Sequence, residues 1–202
     1  MKTVEPEMIE IPSGHLALGM PPCPPETEFY HRWHSGKQVE VAAFKLGKTT
    51  VTNKEYRVYL QDTQAEKPSH IDVENFSQDN QPVTGISWQD ATAYCQWLAH
   101  KTGKSYRLPG DAEWEYAARG AEPAKGQPSR VYPWGDKWDS GLANNSSFHA
   151  GKDLQNAADW NEWYAGDQKS NYPLTSRGGS FPKSVSPFGV HDMAGNAWEW
   201  VA

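Results

Sequence analysis

Residues 87–103 read SWQDATAYCQWLAHKTG, and this stretch decides the class of fold. Ser87 is followed three residues later by Asp90, so a hydroxyl and a carboxylate can each satisfy a backbone N–H left unpaired in a first helical turn. Ala91, Tyr94, Cys95 and Leu98 then recur at helical spacing, and Gly103 supplies a residue that tolerates the left-handed conformation ending a helix. The stretch is an amphipathic helix with its apolar face turned inward.

Two further helices flank it. Thr52 with Glu55 repeats the capping pattern and places Tyr56, Tyr59 and Leu60 on one face. Asp111 to Arg119 follows Arg107-Leu108-Pro109-Gly110, groups Trp114, Ala117 and Ala118, and meets Gly120 at its end. Towards the N-terminus, Met8 to Pro12 and Leu16 to Gly19 read as two short strands of a hairpin about Ser13-Gly14. Residues 21–37 are a long loop, and Val39, Val41 and Ala43 alternate in a further strand up to Phe44. Beyond Ala121 no helix is expected. That part reads as loop with a few short strands, punctuated by Tyr132-Pro133-Trp134-Gly135 and by the Ser/Asn/Gly-rich run 144–151.

Composition agrees with a mixed, loop-rich domain. Ten Trp, nine Tyr and six Phe sit among 17 Gly and 15 Pro, so large rings anchor a chain whose regular structure is often interrupted. The length suits one domain. The formal charge of −6 offers no basic stripe for a phosphate backbone, so nucleic acid is not an expected partner. No apolar run is long enough to span a membrane, and residues 1–14 lack a secretory pattern. With Met1 as the native start, the expected location is cytoplasmic. Cys23, within Pro-Pro-Cys-Pro-Pro, lies in an extended loop and Cys95 on a helix; a bond between them is open but not the expectation.

Several motifs occur in one order along the chain. They are Ile11-Pro12-Ser13-Gly14, Thr50-Val51-Thr52-Asn53 with Tyr56, and Pro82 to Trp88 running into Ala93-Tyr94-Cys95. Arg107-Leu108-Pro109, Glu113 to Gly120, Tyr132 to Gly135 and Phe188 to Trp200 follow. Together they resemble the formylglycine-generating-enzyme, or sulfatase-modifying-factor, family over nearly the whole chain. The resemblance implies a single α+β domain, residues 1–202, with a loop-rich C-type-lectin-like fold of two or three helices and small sheets. Order aligns Gly179-Ser180-Phe181-Pro182 with the run that leads into the Phe188 motif.

The implied family activity is oxidation of a cysteine in a substrate polypeptide to formylglycine, with copper held by a pair of cysteine thiolates. The resemblance places that pair some tens of residues beyond the Gly195-Asn196-Ala197-Trp198-Glu199-Trp200 motif, which here is followed by Val201 and Ala202. No residue of this chain is carried over as catalytic, and copper is expected only if a missing C-terminal segment supplies cysteines. The expectation is an oxidoreductase-like but truncated domain, inactive by itself, with an exposed apolar edge. The alternative is a non-catalytic, lectin-like module that binds a ligand or protein through the aromatic-rich segment from Trp134 to Trp163.

The resemblance also implies calcium, with Asn144 and Asn145 at a first site and Gly189 and His191, beside Ser186, at a second; Asp153 and Asp159 are candidate acidic partners of Asn144. Glu199, between Trp198 and Trp200, and Glu113 and Glu115 beside Trp114 and Arg119 read as members of buried structural networks rather than as general acids. His31 and His34 have ligand-like spacing, but no third ligand follows nearby.

Overall fold

The computed structural model describes residues 5–19, 34–122, 130–167 and 174–202. Cys23 and His31 lie outside the described residues, as does the side chain of His34. The chain opens with four strands: β1 (Met8–Ile11), β2 (Gly14–Gly19), β3 (His34–Val41) and β4 (Phe44–Gly47). The expected hairpin between the first two does not form; β1 pairs antiparallel with β4, and β2 with β3. Pro12-Ser13 has none of the positive-φ residues that a two-residue hairpin requires, and Pro12 cannot donate to a ladder. The strand expected to run through Ala43 likewise divides at Ala42-Ala43. Ile11 opposite Phe44 and Gly14 opposite Val41 keep the same register across both interruptions, so the two sheets are arms of one ribbon.

Three helices match the sequence reading closely: α1 (Asn53–Thr63), α2 (Trp88–Thr102) and α3 (Asp111–Arg119). Both capping boxes are formed, Thr52 with Glu55 and Ser87 with Asp90, and Gly103 ends α2 at φ 69°. Gly110 precedes α3 without a side-chain cap, while the Glu113 carboxylate accepts from its N–H at 2.6 Å. On α2 the inward position expected of Cys95 is taken instead by Trp97, and Cys95 is only half-buried.

Two cores result. Ile11, Leu16 and Val41 of the ribbon pack on Tyr116, Ala117 and Ala118 of α3, together with Val190 and Met193. Between α1 and α2, Tyr56, Tyr59, Tyr94 and Trp97 form a ring cluster with centroids 5.1–5.7 Å apart. Edge-to-face and stacked pairs at such spacing add about 0.5–1.5 kcal/mol each beyond area burial.

The remainder departs from the sequence reading. Among the described residues beyond Ala121 there are two single 3-10 turns, Ser140–Leu142 and Pro182–Ser184, and two α-helices, α4 (Ser146–Ala150) and α5 (Ala157–Asp167). The first is little more than a turn, capped by the Asn145 side chain on Phe148 N. The second leaves most of its described side chains exposed, so no apolar stripe marks it in the sequence. Of the short strands expected there, the described residues show a bridge between Tyr132 and Gly135. The architecture is α+β. Among the described residues no helix is long and apolar enough to cross a membrane.

Candidate functional site

The segment from Ser186 to Ala202 follows the core without regular structure and is held by side chains from three directions. Asn196, at φ 65°, donates its backbone N–H to Asn144 O at 2.9 Å. Its side-chain oxygen accepts from Asn144 Nδ2 at 3.0 Å and from Ser176 N at 2.8 Å, and its amide donates to Ser176 O at 3.1 Å. One side chain therefore ties three loops together. The neighbouring Gly195, at φ 76°, leaves no room for a Cβ, which would press on Asn144 O.

Asp192 is buried and accepts from Gly179 N at 2.7 Å. Burial raises its carboxyl above the ordinary value, against the opposing pull of that N–H and of His191. Glu199 turns inward between two outward indoles. Trp114 Nε1 donates to its Oε2 at 3.0 Å. Burial pushes the Glu199 carboxyl up to about 7; the Trp114 donor works against this shift and the charge of Asp192 adds to it.

Two indoles of this segment, Trp198 and Trp200, are exposed, as is Trp88 at the start of α2. Trp198 is fully exposed, while Trp88 and Trp200 are 41 % and 49 % exposed. Cross-ties join the two elements: Trp88 Nε1 donates to Val201 O at 2.9 Å, Trp200 Nε1 to Ile86 O at 3.1 Å, and Ala202 N to Pro109 O at 2.9 Å. The start of α2 and residues 200–202 are thus tied together through the Trp88 and Trp200 indoles, and the fully exposed Trp198 lies two residues from Trp200.

The other acids are structural. Glu113 takes both Arg107 guanidinium nitrogens at 2.6 Å. Glu115 accepts from Gly19 N at 2.9 Å and pairs closely with Arg119, whose guanidinium also donates to Gly19 O and Arg130 O. Sequence reading missed Asn196 as the bridge and Asp192 as a buried acid. Their signal was the unusual backbone, since Asp192 and Asn196 are two of the three non-glycine residues at positive φ among those described.

The cation candidates fall in two networks. Asn145 Oδ1 is the cap of α4 and its amide donates to Ser140 O and Ala143 O; Asn144 Oδ1 contacts His149 Nε2. Asp159 accepts from Gln155 N and Asn156 Nδ2 near the start of α5. Ser186 Oγ accepts from Val190 N, Gly189 N donates to Ser186 O, and His191 N donates to Lys48 O, leaving His191 Nδ1 buried without a partner. Among the described residues no group of three His, Cys, Asp or Glu side chains could hold a metal ion.

Comparison with known proteins places this geometry. A family profile described as the sulfatase-modifying factor enzyme 1-like domain matches residues 1–202. The inactive C-alpha-formylglycine-generating enzyme 2 of Bos taurus is 37 % identical over 122 residues, 60 % of this chain and 32 % of its own length. The formylglycine-generating enzyme of the same species is 35 % identical over 129 residues, 60 % of this chain and 26 % of its own length. The chain thus spans about a third or less of these relatives. The structure of PvdO from Pseudomonas aeruginosa superimposes with a TM-score of 0.64 at 27 % identity, covering 98 % of this chain and 70 % of that one.

Proposed function

Since the chain belongs to the sulfatase-modifying factor enzyme 1-like domain family, we propose that residues 1–202 recognise a polypeptide and do not themselves oxidise it. The observation that carries the reading is the face formed by Trp88, Trp198 and Trp200. Trp88 and Trp200 stay part-exposed while their own indole N–H groups hold them in place, and Trp198 beside Trp200 is fully exposed, so a partner can bury the first two with little ordering cost.

Copper does not fit the described residues. Cys95 is the one thiol among them; it is half-buried on α2, and burial raises its pKa, so it stays protonated where a copper ligand must be a thiolate. No oxidation step is assigned to these residues. The similarity to both a formylglycine-generating enzyme and an inactive relative is compatible with a domain that keeps recognition without chemistry.

The test uses a peptide with a Cys-x-Pro-x-Arg core, copper and oxygen. Binding by fluorescence anisotropy without any formylglycine in the peptide mass spectrum is the expected result. Formylglycine formed by residues 1–202 alone would overturn the proposal, as would binding that is unchanged in Trp198→Ala.

Calcium belongs to the same proposal. The Ser140 and Ala143 carbonyls converge on the Asn145 amide nitrogen, and they become the hard donors that calcium takes only if Asn145 turns that nitrogen away and exchanges its Oδ1 contact with Phe148 N for the ion. A higher unfolding midpoint in calcium than in chelator supports this part; an unchanged midpoint at millimolar calcium removes it.

A further inference from the structure

An open depression of about 380 Å³ is lined by Trp138 and, from α5, Trp160, away from the face around Trp198. The two indoles in its lining are 44 % and 41 % exposed. Each is held from behind. Trp138 lies against Tyr132 and Trp134, with ring centroids 5.5 and 6.1 Å away. Trp160 stacks on Tyr164 at 4.8 Å, and its Nε1 donates to Ser146 Oγ at 3.3 Å. Neither indole serves the two cores, yet both are ordered before any ligand arrives, which lowers the cost of binding.

The rim is polar and uncharged. Asn145, Ser146, Gln155 and Asn156 line it, and none of the lining residues carries a formal charge. In a chain where 22 % of residues are charged, that absence selects among ligands. A phosphate or carboxylate would call for Lys or Arg, and an ammonium group for a carboxylate beside the rings. A purely apolar ligand would strand the Gln155 amide. What suits two flat indoles with amide and hydroxyl edges is a neutral ring with one apolar face and several hydroxyls. The volume falls at the small end of the range of about 300–1,000 Å³ for small-molecule sites.

We propose that the depression lined by Trp138 and Trp160 is a carbohydrate-binding site, taking a neutral pyranose against the indoles with its hydroxyls toward Gln155 and Ser146. Asn145 and Asn156 spend their side chains largely on capping α4 and the start of α5, so they shape the rim. Ser146 Oγ accepts from Trp160 and retains its proton to donate.

Saturation-transfer NMR on the protein tests this. The probes are the methyl glycosides of glucose, galactose, mannose and N-acetylglucosamine, with cellobiose, lactose and diacetylchitobiose. A second arm uses immobilised N-glycans, which separates free sugars from protein-linked ones. Transfer to ring protons of at least one sugar is expected. Trp138→Ala and Trp160→Ala should each weaken binding about tenfold, and Trp160→Phe less, because a ring remains. Trp198→Ala, which disables the polypeptide face, should leave sugar binding unchanged, so the two readings fail separately. Circular dichroism verifies that the variants fold. No transfer to any probe in either arm, or transfer that survives Trp138→Ala/Trp160→Ala, would overturn the proposal.

Discussion

The indole of Trp114 on α3 donates to the Glu199 carboxylate at 3.0 Å, joining a helix of the main core to the segment whose flanking tryptophans face solvent. This bond sets the orientation of the exposed face. With Glu199 turned inward, its neighbours on either side point outward.

Glu199 should make stability depend on pH near neutrality. Its folded-state carboxyl is raised from an ordinary 4.5 to about 7, so between these values the folded chain holds a proton that the unfolded chain has released. The associated stabilisation is complete below about pH 4.5 and is lost as pH rises through 7, a change of up to roughly 3 kcal/mol. Urea unfolding from pH 5 to 8 should show this decline, and Glu199→Gln, which still accepts from Trp114, should flatten it. Equal slopes in the two proteins would rule out Glu199 as the titrating group.

Trp198→Ala should leave the unfolding midpoint nearly unchanged, within about 0.5 kcal/mol, because the side chain is fully exposed. Trp200→Ala loses the donor to Ile86 O and should cost about 1 kcal/mol. If the two variants lose equal stability, the Trp200 bond to Ile86 O contributes nothing beyond an exposed indole.

The three main helices were legible because their signals are local. Thr52 with Glu55, Ser87 with Asp90, and Gly103 and Gly120 mark ends, and the apolar spacing marks faces. The ribbon was not, since the partners of Met8–Ile11 lie in Phe44–Gly47 and no local pattern distinguishes that pairing from a hairpin with Gly14–Gly19. Nor was α5, whose exposed residues carry no apolar period. The acids Glu113, Glu115 and Glu199 were correctly read as networked, but their partners Arg107, Gly19 and Trp114 only became visible in three dimensions.

Gly14 faces the Tyr116 hydroxyl so closely that a Cβ would overlap it. Gly14→Ala should therefore destabilise by roughly 1–3 kcal/mol through overpacking, although the backbone of β2 accepts alanine. Tyr116→Phe removes the hydroxyl and should recover part of that loss, not all, because the ring carbon Cζ remains 3.1 Å from the added methyl. Additive losses in the double variant would show that the cost lies in the ribbon and not in this contact.

Cys95 should behave as a protected thiol. Burial on α2 raises its pKa, which lowers the share of reactive thiolate. In a Cys23→Ser variant, which leaves Cys95 as the chain's remaining cysteine, a disulfide reagent at pH 8 should react slowly with the native protein and completely in denaturant. Rapid labelling of the native variant would instead mean an accessible thiolate at Cys95, and would reopen the question of whether α2 can present a sulfur ligand.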